Sequence, residues 1–255
     1  MKATLTVLGS GTSMGVPTLG CPCAVCQSAD PRDRRTRPSI MVSYEGKNVV
    51  IDTTPDFRAQ AMRECISRVD AVIYTHPHAD HILGLDDLRP LTFWGPDIPL
   101  YADGPTTRRI QEIFGYIFSG DYQFGGSAKI VMHALNGDLS LFGAKFEQVK
   151  VKHGKTDILG FRFGTAAYVT DFSEIPEPAM EQLRDLDILF LDALRHRPHP
   201  THSSLSNSLR IVEELKPKRA FFTHISHDLP HVRTNAELPD NVRLSHDGLK
   251  LEFEL

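Results

Sequence analysis

The chain of 255 residues contains no apolar run near the roughly 18–20 residues needed to cross a bilayer. Its first residues, Met1-Lys2-Ala3-Thr4-Leu5-Thr6-Val7-Leu8-Gly9, alternate like a strand and run into a glycine loop. They lack the longer apolar segment and small-residue cleavage site of a signal peptide, so a cytoplasmic protein is expected. Positive charge is also short: a formal net charge of −4 gives no broad footprint for tRNA or DNA. The one basic cluster, Arg32, Arg34, Arg35 and Arg37, reads as a solvated loop, with a phosphate contact as the alternative. No repeat, low-complexity tract or linker divides the chain. At 41 % hydrophobic and 24 % charged residues it has the composition of an ordinary globular domain, and a single domain over residues 1–255 is expected.

Cysteine is scarce and unevenly placed. Three of the four cysteines fall in Gly20-Cys21-Pro22-Cys23-Ala24-Val25-Cys26, which gives neither the even count nor the compartment of a disulfide framework. Three thiolates so spaced can wrap a tetrahedral zinc and leave one position open. His227, three residues past His224, is the candidate for that position, which makes residues 20–37 a zinc-knuckle insertion. Cys65 shares a helical period with Phe57, Ala61 and Met62 and reads as core.

What the chain has in abundance is a run of metal-ligating groups. His76-Pro77-His78-Ala79-Asp80-His81 puts four ligands within six residues, directly after the apolar stretch Val69–Thr75. Imidazole and carboxylate suit zinc, iron or manganese. Pro77 argues against one helix carrying all four groups, so they should project from a loop at the end of a buried strand. Further single ligands follow β-like runs in the same way: His153 after Val149–Lys152, Asp171 after Ala166–Thr170, and His224 after Arg219–Thr223. Asp52 follows Val49–Ile51, either as a support for such a site or as a cap on the next helix.

Periodicity predicts strands at 2–8, 39–44, 47–51, 69–75, 98–101, 129–133, 145–152, 158–163, 166–170, 187–191 and 219–223. A terminal hairpin is expected around Asp247-Gly248. Helices are expected at 55–66, 81–92, 105–118, 178–185 and 203–215, and Ser119–Ser127 reads as a loop over a cleft. Alone, this pattern supports an α/β or α+β fold.

The His-x-His-x-Asp-His run, with its downstream His, Asp and His in order, resembles the metallo-β-lactamase superfamily. That resemblance implies an αββα sandwich and a two-metal hydrolase site. His76, His78 and His153 would hold one ion, and Asp80, His81 and His224 the other. Asp171 would bridge them together with a water or hydroxide. Two ions roughly 3.5–4 Å apart acidify such a water and neutralise charge on the group attacked. Asp52 matches the superfamily's early strand-end aspartate, which accepts a hydrogen bond from a ligating imidazole.

Asp80 in the motif, the cysteine insertion paired with His227, and His202 between Asp171 and His224 together resemble the PhnP phosphodiesterase family, relatives of ribonuclease Z. The resemblance runs from Gly9 to the Asp247-Gly248 turn. It implies Asp80 and His202 as catalytic residues, with His202 assisting phosphoryl chemistry. The implied metals are two catalytic ions, zinc or manganese, and one structural zinc. The expected function is hydrolysis of a small cyclic phosphodiester, such as phosphoribosyl 1,2-cyclic phosphate or a 2′,3′-cyclic nucleotide. The expected partner is that small substrate, with a homodimer left open and no membrane. Alternatives are a ribonuclease Z-like tRNA endonuclease, which would want a basic arm that is absent here, a thioester or lactam hydrolase, or a non-enzymatic zinc module. His133, His196, His199, His231 and His246 match no family motif and read as surface residues.

Overall fold

Strand after strand in this chain carries apolar residues on both faces, because each sheet is covered by the other sheet on one side and by helices on the other. The computed structural model of the chain describes residues 1–93, 95–119 and 126–255. Six strands enter the first sheet in sequence: β1 (Lys2–Gly9), β2 (Ser39–Tyr44), β3 (Lys47–Ile51), β4 (Ala71–Ile73), β5 (Ile98–Ala102) and β6 (Ile130–Ala134). The second sheet takes β7 (Leu139–Leu141), β8 (Ala144–His153), β9 (Thr156–Phe163), β10 (Ala166–Val169), β11 (Ile188–Asp192), β12 (Arg219–Thr223) and β13 (Val242–Leu244). The last strand, β14 (Lys250–Glu254), returns to the first sheet and pairs antiparallel with β1. The spatial orders are β14-β1-β2-β3-β4-β5-β6 and β13-β12-β11-β10-β9-β8-β7.

Alternation along single strands shows the layering. In β3, Val49 and Ile51 face the core between the sheets, whereas Val50 faces outward under helices. In β11, Ile188 and Phe190 enter the same inter-sheet core, and Leu189 and Leu191 face the opposite layer. Helices α1 (Phe57–Arg63), α2 (Ala79–Ile82), α3 (Gly104–Ile113) and α4 (Gly115–Phe118) flank the first sheet, with Phe57, Ile82 and Ile110 buried against it. Helices α5 (Glu177–Gln182) and α6 (Leu205–Leu215) cover the second through Met180, Ile211, Val212 and Leu215. α7 (His231–Glu237) follows. This is the expected αββα sandwich. None of its described helices is long and apolar enough to cross a membrane.

The structure departs from the sequence reading in several places. The helix expected over 81–92 is α-helical only through Ile82, and Leu85–Thr92 is a 3₁₀ segment containing Pro90. Gly84 joins the two where the chain passes so close to the Thr54 carbonyl that a Cβ would overlap it. The Asp247-Gly248 turn is not a hairpin: β13 pairs parallel with β12, while β14 pairs with β1 in the other sheet. Gly248 does adopt the left-handed backbone, with φ of 84°. Asp247 ties the crossover down, accepting from the N–H and O–H of both Ser10 and Thr36.

Cys65 is exposed rather than core. α1 ends at Arg63, and Cys65 turns left-handed with φ of 55°, which breaks the helical face. Arg35 is not part of a solvated loop. It is buried, pairs with Asp33 at 3.1 Å, and donates to the carbonyls of Ser226 (3.0 Å) and Leu229 (2.8 Å). His231 is buried as well. Of the expected Ser119–Ser127 loop, residues 120–125 lie outside the described residues.

Candidate metal centre

Strands β3 and β4 run parallel, as do β10, β11 and β12, and the carboxyl ends of both sets open on one edge of the sandwich. Ligands in α/β sheets gather at such ends, where strands stop and loops begin. Asp52 follows β3, the His76–His81 run follows β4, Asp171 follows β10, Asp192 ends β11 and His224 follows β12. Three of these residues sit in left-handed backbone: Asp52 (φ 65°), Asp171 (φ 57°) and His224 (φ 55°). Non-glycine residues enter that region at a cost, and the packed strands before them impose it here.

Seven residues singled out in the sequence converge at this edge. One donor atom each from His76, His78, His153 and Asp171 lie within 4.8 Å of one another, and so do those of Asp80, His81, Asp171 and His224. Asp171 belongs to both groups: its Oδ1 is 3.4 Å from His81 Nε2, and its Oδ2 is 3.3 Å from His224 Nε2 and 3.8 Å from His76 Nε2. Donors about 2.0–2.2 Å from one tetrahedral ion lie about 3.3 Å apart, so these spacings fit shared cations. Asp80 Oδ2, His81 Nε2 and His224 Nε2 are buried without a hydrogen-bond partner, a costly arrangement that a cation relieves.

The outer nitrogens of the rings are held. His81 Nδ1 donates to Asp52 Oδ2 at 2.7 Å, and Asp52 also accepts from Thr75 N and Thr75 Oγ1. His153 Nδ1 donates to the Thr201 carbonyl at 2.7 Å, and His76 Nδ1 meets Thr75 Oγ1 at 3.0 Å. These bonds aim the Nε2 atoms inward. His78 instead presents Nδ1, 3.0 Å from His76 Nε2, and it alone of the seven is exposed. The helix after Asp52 is capped at Asp56, which leaves the Asp52 carboxylate to Thr75 and His81.

Burial opposes charge throughout the cluster, yet the carboxylates dominate at two histidines. Asp171, Asp80 and Asp52 hold His81 well above the ordinary range, and Asp171 with Asp80 and Asp192 lifts His224 to about 9. His76, desolvated and beside His81, is pushed well down. The pocket is thus electrostatically built for positive charge, which a metal supplies by displacing protons from nitrogen.

His202 reaches the same edge from the segment after β11. Its ring stacks on His224 at 4.6 Å and stands 4.8 Å from His153. Its Nδ1 donates to Asp192 Oδ2 at 2.8 Å. Asp192, fully buried, was not singled out in the sequence. Its position after Ile188–Leu191 repeats the pattern of Asp52 and Asp171, an aspartate closing an apolar strand, and that signal could have found it. His199, expected at the surface, is half-buried, with its ring 5.1 Å from that of His202.

A second candidate centre lies at the knuckle. His227 Nδ1 is 3.4, 3.8 and 3.3 Å from the sulfurs of Cys21, Cys23 and Cys26. A tetrahedral zinc with three sulfurs and one nitrogen places S and N about 3.5 Å apart, so this set fits the ion. Burial pushes the Cys26 thiol up to about 11, a cost that a zinc held there would offset by binding the thiolate.

The sandwich and its His/Asp cluster define a class. A family profile for the beta-lactamase superfamily domain matches residues 47–225, and the chain belongs to that superfamily. Within it, the chain is similar to a PhnP-family diphosphatase of known structure. That protein is 62 % identical with a TM-score of 0.94, over 99 % of this chain and 98 % of that one. Zn²⁺-bound PqqB from Methylobacterium extorquens shares the fold at TM-score 0.78 and 20 % identity, over 97 % of this chain and 99 % of that one. An octanoyltransferase from Porphyromonas gingivalis is 34 % identical over 249 residues, 96 % of this chain. The chain spans only 50 % of that protein's length.

Proposed function

We propose that the chain is a dinuclear metal-dependent phosphodiesterase acting on a small substrate. The observation that carries this reading is the Asp192–His202 pair standing over the Asp80, His81, Asp171 and His224 group. His76, His78 and His153 would hold one ion, Asp80, His81 and His224 the other, and Asp171 both. Zinc or manganese bound there would acidify a water and neutralise charge developing on phosphorus. A separate zinc held by Cys21, Cys23, Cys26 and His227 would be structural, in one domain spanning residues 1–255.

The remaining work falls to side chains. Cleaving a phosphodiester leaves an alkoxide that needs a proton, and imidazole titrates near working pH. Asp192 accepts a hydrogen bond from His202 Nδ1 and fixes its tautomer, so Nε2 is the atom that meets the leaving oxygen. Asp192 also stabilises the imidazolium, which is the form that donates. Asp52, Thr75 and Thr201 keep the ligand rings from rotating as charge shifts.

A small cyclic phosphodiester is one substrate class such a site would accept. A second reading, cleavage of a diphosphate, is favoured by the 62 % identity to a protein named a diphosphatase. Turnover of a 2′,3′-cyclic nucleotide, a dinucleoside diphosphate, bis(p-nitrophenyl) phosphate, a pre-tRNA, a lactam and a thioester with defined metals tests the proposal. Turnover confined to the lactam or the thioester would overturn it.

A further inference from the structure

Beside His202 the site opens into a hollow of about 220 Å³ that reaches to the knuckle. Its walls include Ser13, Met14, Arg195, His199, His202 and Asp228. In the hydrolase reading on which this inference rests, the leaving oxygen lies against His202 Nε2. Whatever departs from phosphorus therefore enters this hollow.

The donors there exceed what an alkoxide requires. Arg195 Nε donates to the Arg197 carbonyl and its Nη2 to the Pro198 carbonyl, each at 3.2 Å. These bonds fix the guanidinium and leave its remaining N–H groups for a ligand. His199 Nδ1 accepts from Thr201 N at 3.3 Å and lies 3.2 Å from Thr201 Oγ1. The proton of its neutral ring is therefore on Nε2, a second preset donor. An alcohol leaving group needs only the proton of His202. A permanent cation and an imidazole N–H beside it match oxyanions, and Arg is suited to phosphate through its planar fork. Asp228, 3.8 Å from His227 Nε2, puts a carboxylate in the same hollow and disfavours a second anionic group beyond the first.

We infer that this hollow is a leaving-group subsite for a phosphate monoester, and that Arg195 and His199 direct the enzyme to the P–O–P bond of a diphosphate diester. Water adds to one phosphorus, the bridging P–O bond breaks, and the departing phosphate monoester keeps the electron pair. His202 supplies its proton, and the water's protons return to the enzyme and solvent, giving two monoesters.

The test compares kcat/KM on diadenosine diphosphate with that on bis(p-nitrophenyl) phosphate and 2′,3′-cyclic AMP, using metal-loaded protein. Arg195→Met should lower the diphosphate value roughly ten- to a hundredfold more than the other two, the scale of a lost charged hydrogen bond. His199→Phe should act in the same direction, more weakly, and Arg195→Lys should recover part of the loss. Equal losses on all substrates, with no recovery by lysine, would overturn the subsite and mark Arg195 as structural. So would a wild type that cleaves the two control substrates but not the diphosphate. Failure to cleave any of the three overturns the hydrolase reading itself, and the subsite with it.

Discussion

Two clusters of ligand-type residues lie three residues apart in the chain at His224 and His227, yet they are built on opposite principles. The His/Asp cluster draws its residues from the ends of four strands in two sheets, and several of its polar atoms are buried without partners. The cysteine cluster draws three of four residues from one short loop, and all four donors point at one centre. Oxygen and nitrogen donors on rigid strand ends would suit ions that exchange ligands with substrate, and one side, at His78, stays exposed. Three sulfurs and a nitrogen close a tetrahedron and leave no place for substrate. In the proposed reading one region would suit chemistry and the other would hold a loop in place. Arg35 joins them by bonding the carbonyls of Ser226 and Leu229 on either side of His227.

The sharpest break in this contrast is Asp171→Ala. Removing the carboxylate common to both His/Asp groups should cut kcat at least about a thousandfold and strip metal from both positions while the knuckle zinc remains. Elemental analysis alongside kinetics reads both; full activity in this variant would end the two-metal proposal.

Next in size is His202→Ala, which leaves all proposed ligands in place. On diesters with poor leaving groups the rate should fall about 10²–10⁴-fold, and the loss should shrink on bis(p-nitrophenyl) phosphate, whose leaving group hardly needs a proton. Asp192→Asn should show the same leaving-group dependence with a smaller loss. Equal losses on both substrates would demote His202 to positioning.

Cys23→Ser probes the other region. It should remove one zinc per chain and lower the melting temperature by several degrees, with a smaller effect on kcat than Asp171→Ala. An unchanged zinc count would refute the knuckle site.

The smallest effect concerns His231, which packs under the knuckle with its backbone N–H on Asp33 and its ring 5.7 Å from His246. Burial, with Arg32 and Arg35 nearby, lowers its pKa from 6.5 to about 4. The fold therefore favours the neutral ring. This stability is complete above about pH 6.5 and is lost as pH falls toward 4, by at most about 3 kcal/mol. Denaturant melts of wild type and His231→Asn at pH 7 and 4.5 measure it, and an identical pH slope in both proteins would exclude the effect.

The His76–His81 run, His153, Asp171 and His224 were legible because each follows an apolar strand and each is a strong ligand type, a signal carried by adjacent residues. Asp192 carries the same mark but was overlooked, because nothing near it in sequence announces its partner His202. Cys65 misled because helical periodicity says nothing about where a helix stops. Arg35 misled because a cluster of arginines reads as a solvated face, and only distant carbonyls and Asp33 reveal that one of them is buried.

The sequence by itself determined the local matters: the apolar strands, the ligand chemistry of the motif, the cysteine spacing, and a turn at Asp247-Gly248. Strand partners, and so the crossover that replaced the expected hairpin, were settled by the tertiary structure. So were the meeting of Asp171 with two histidine groups and the pairing of His202 with Asp192. The physical reason is range. Turn geometry and periodicity act within a few residues, whereas sheet register and ion coordination are fixed by packing between segments more than 200 residues apart, such as Cys26 and His227.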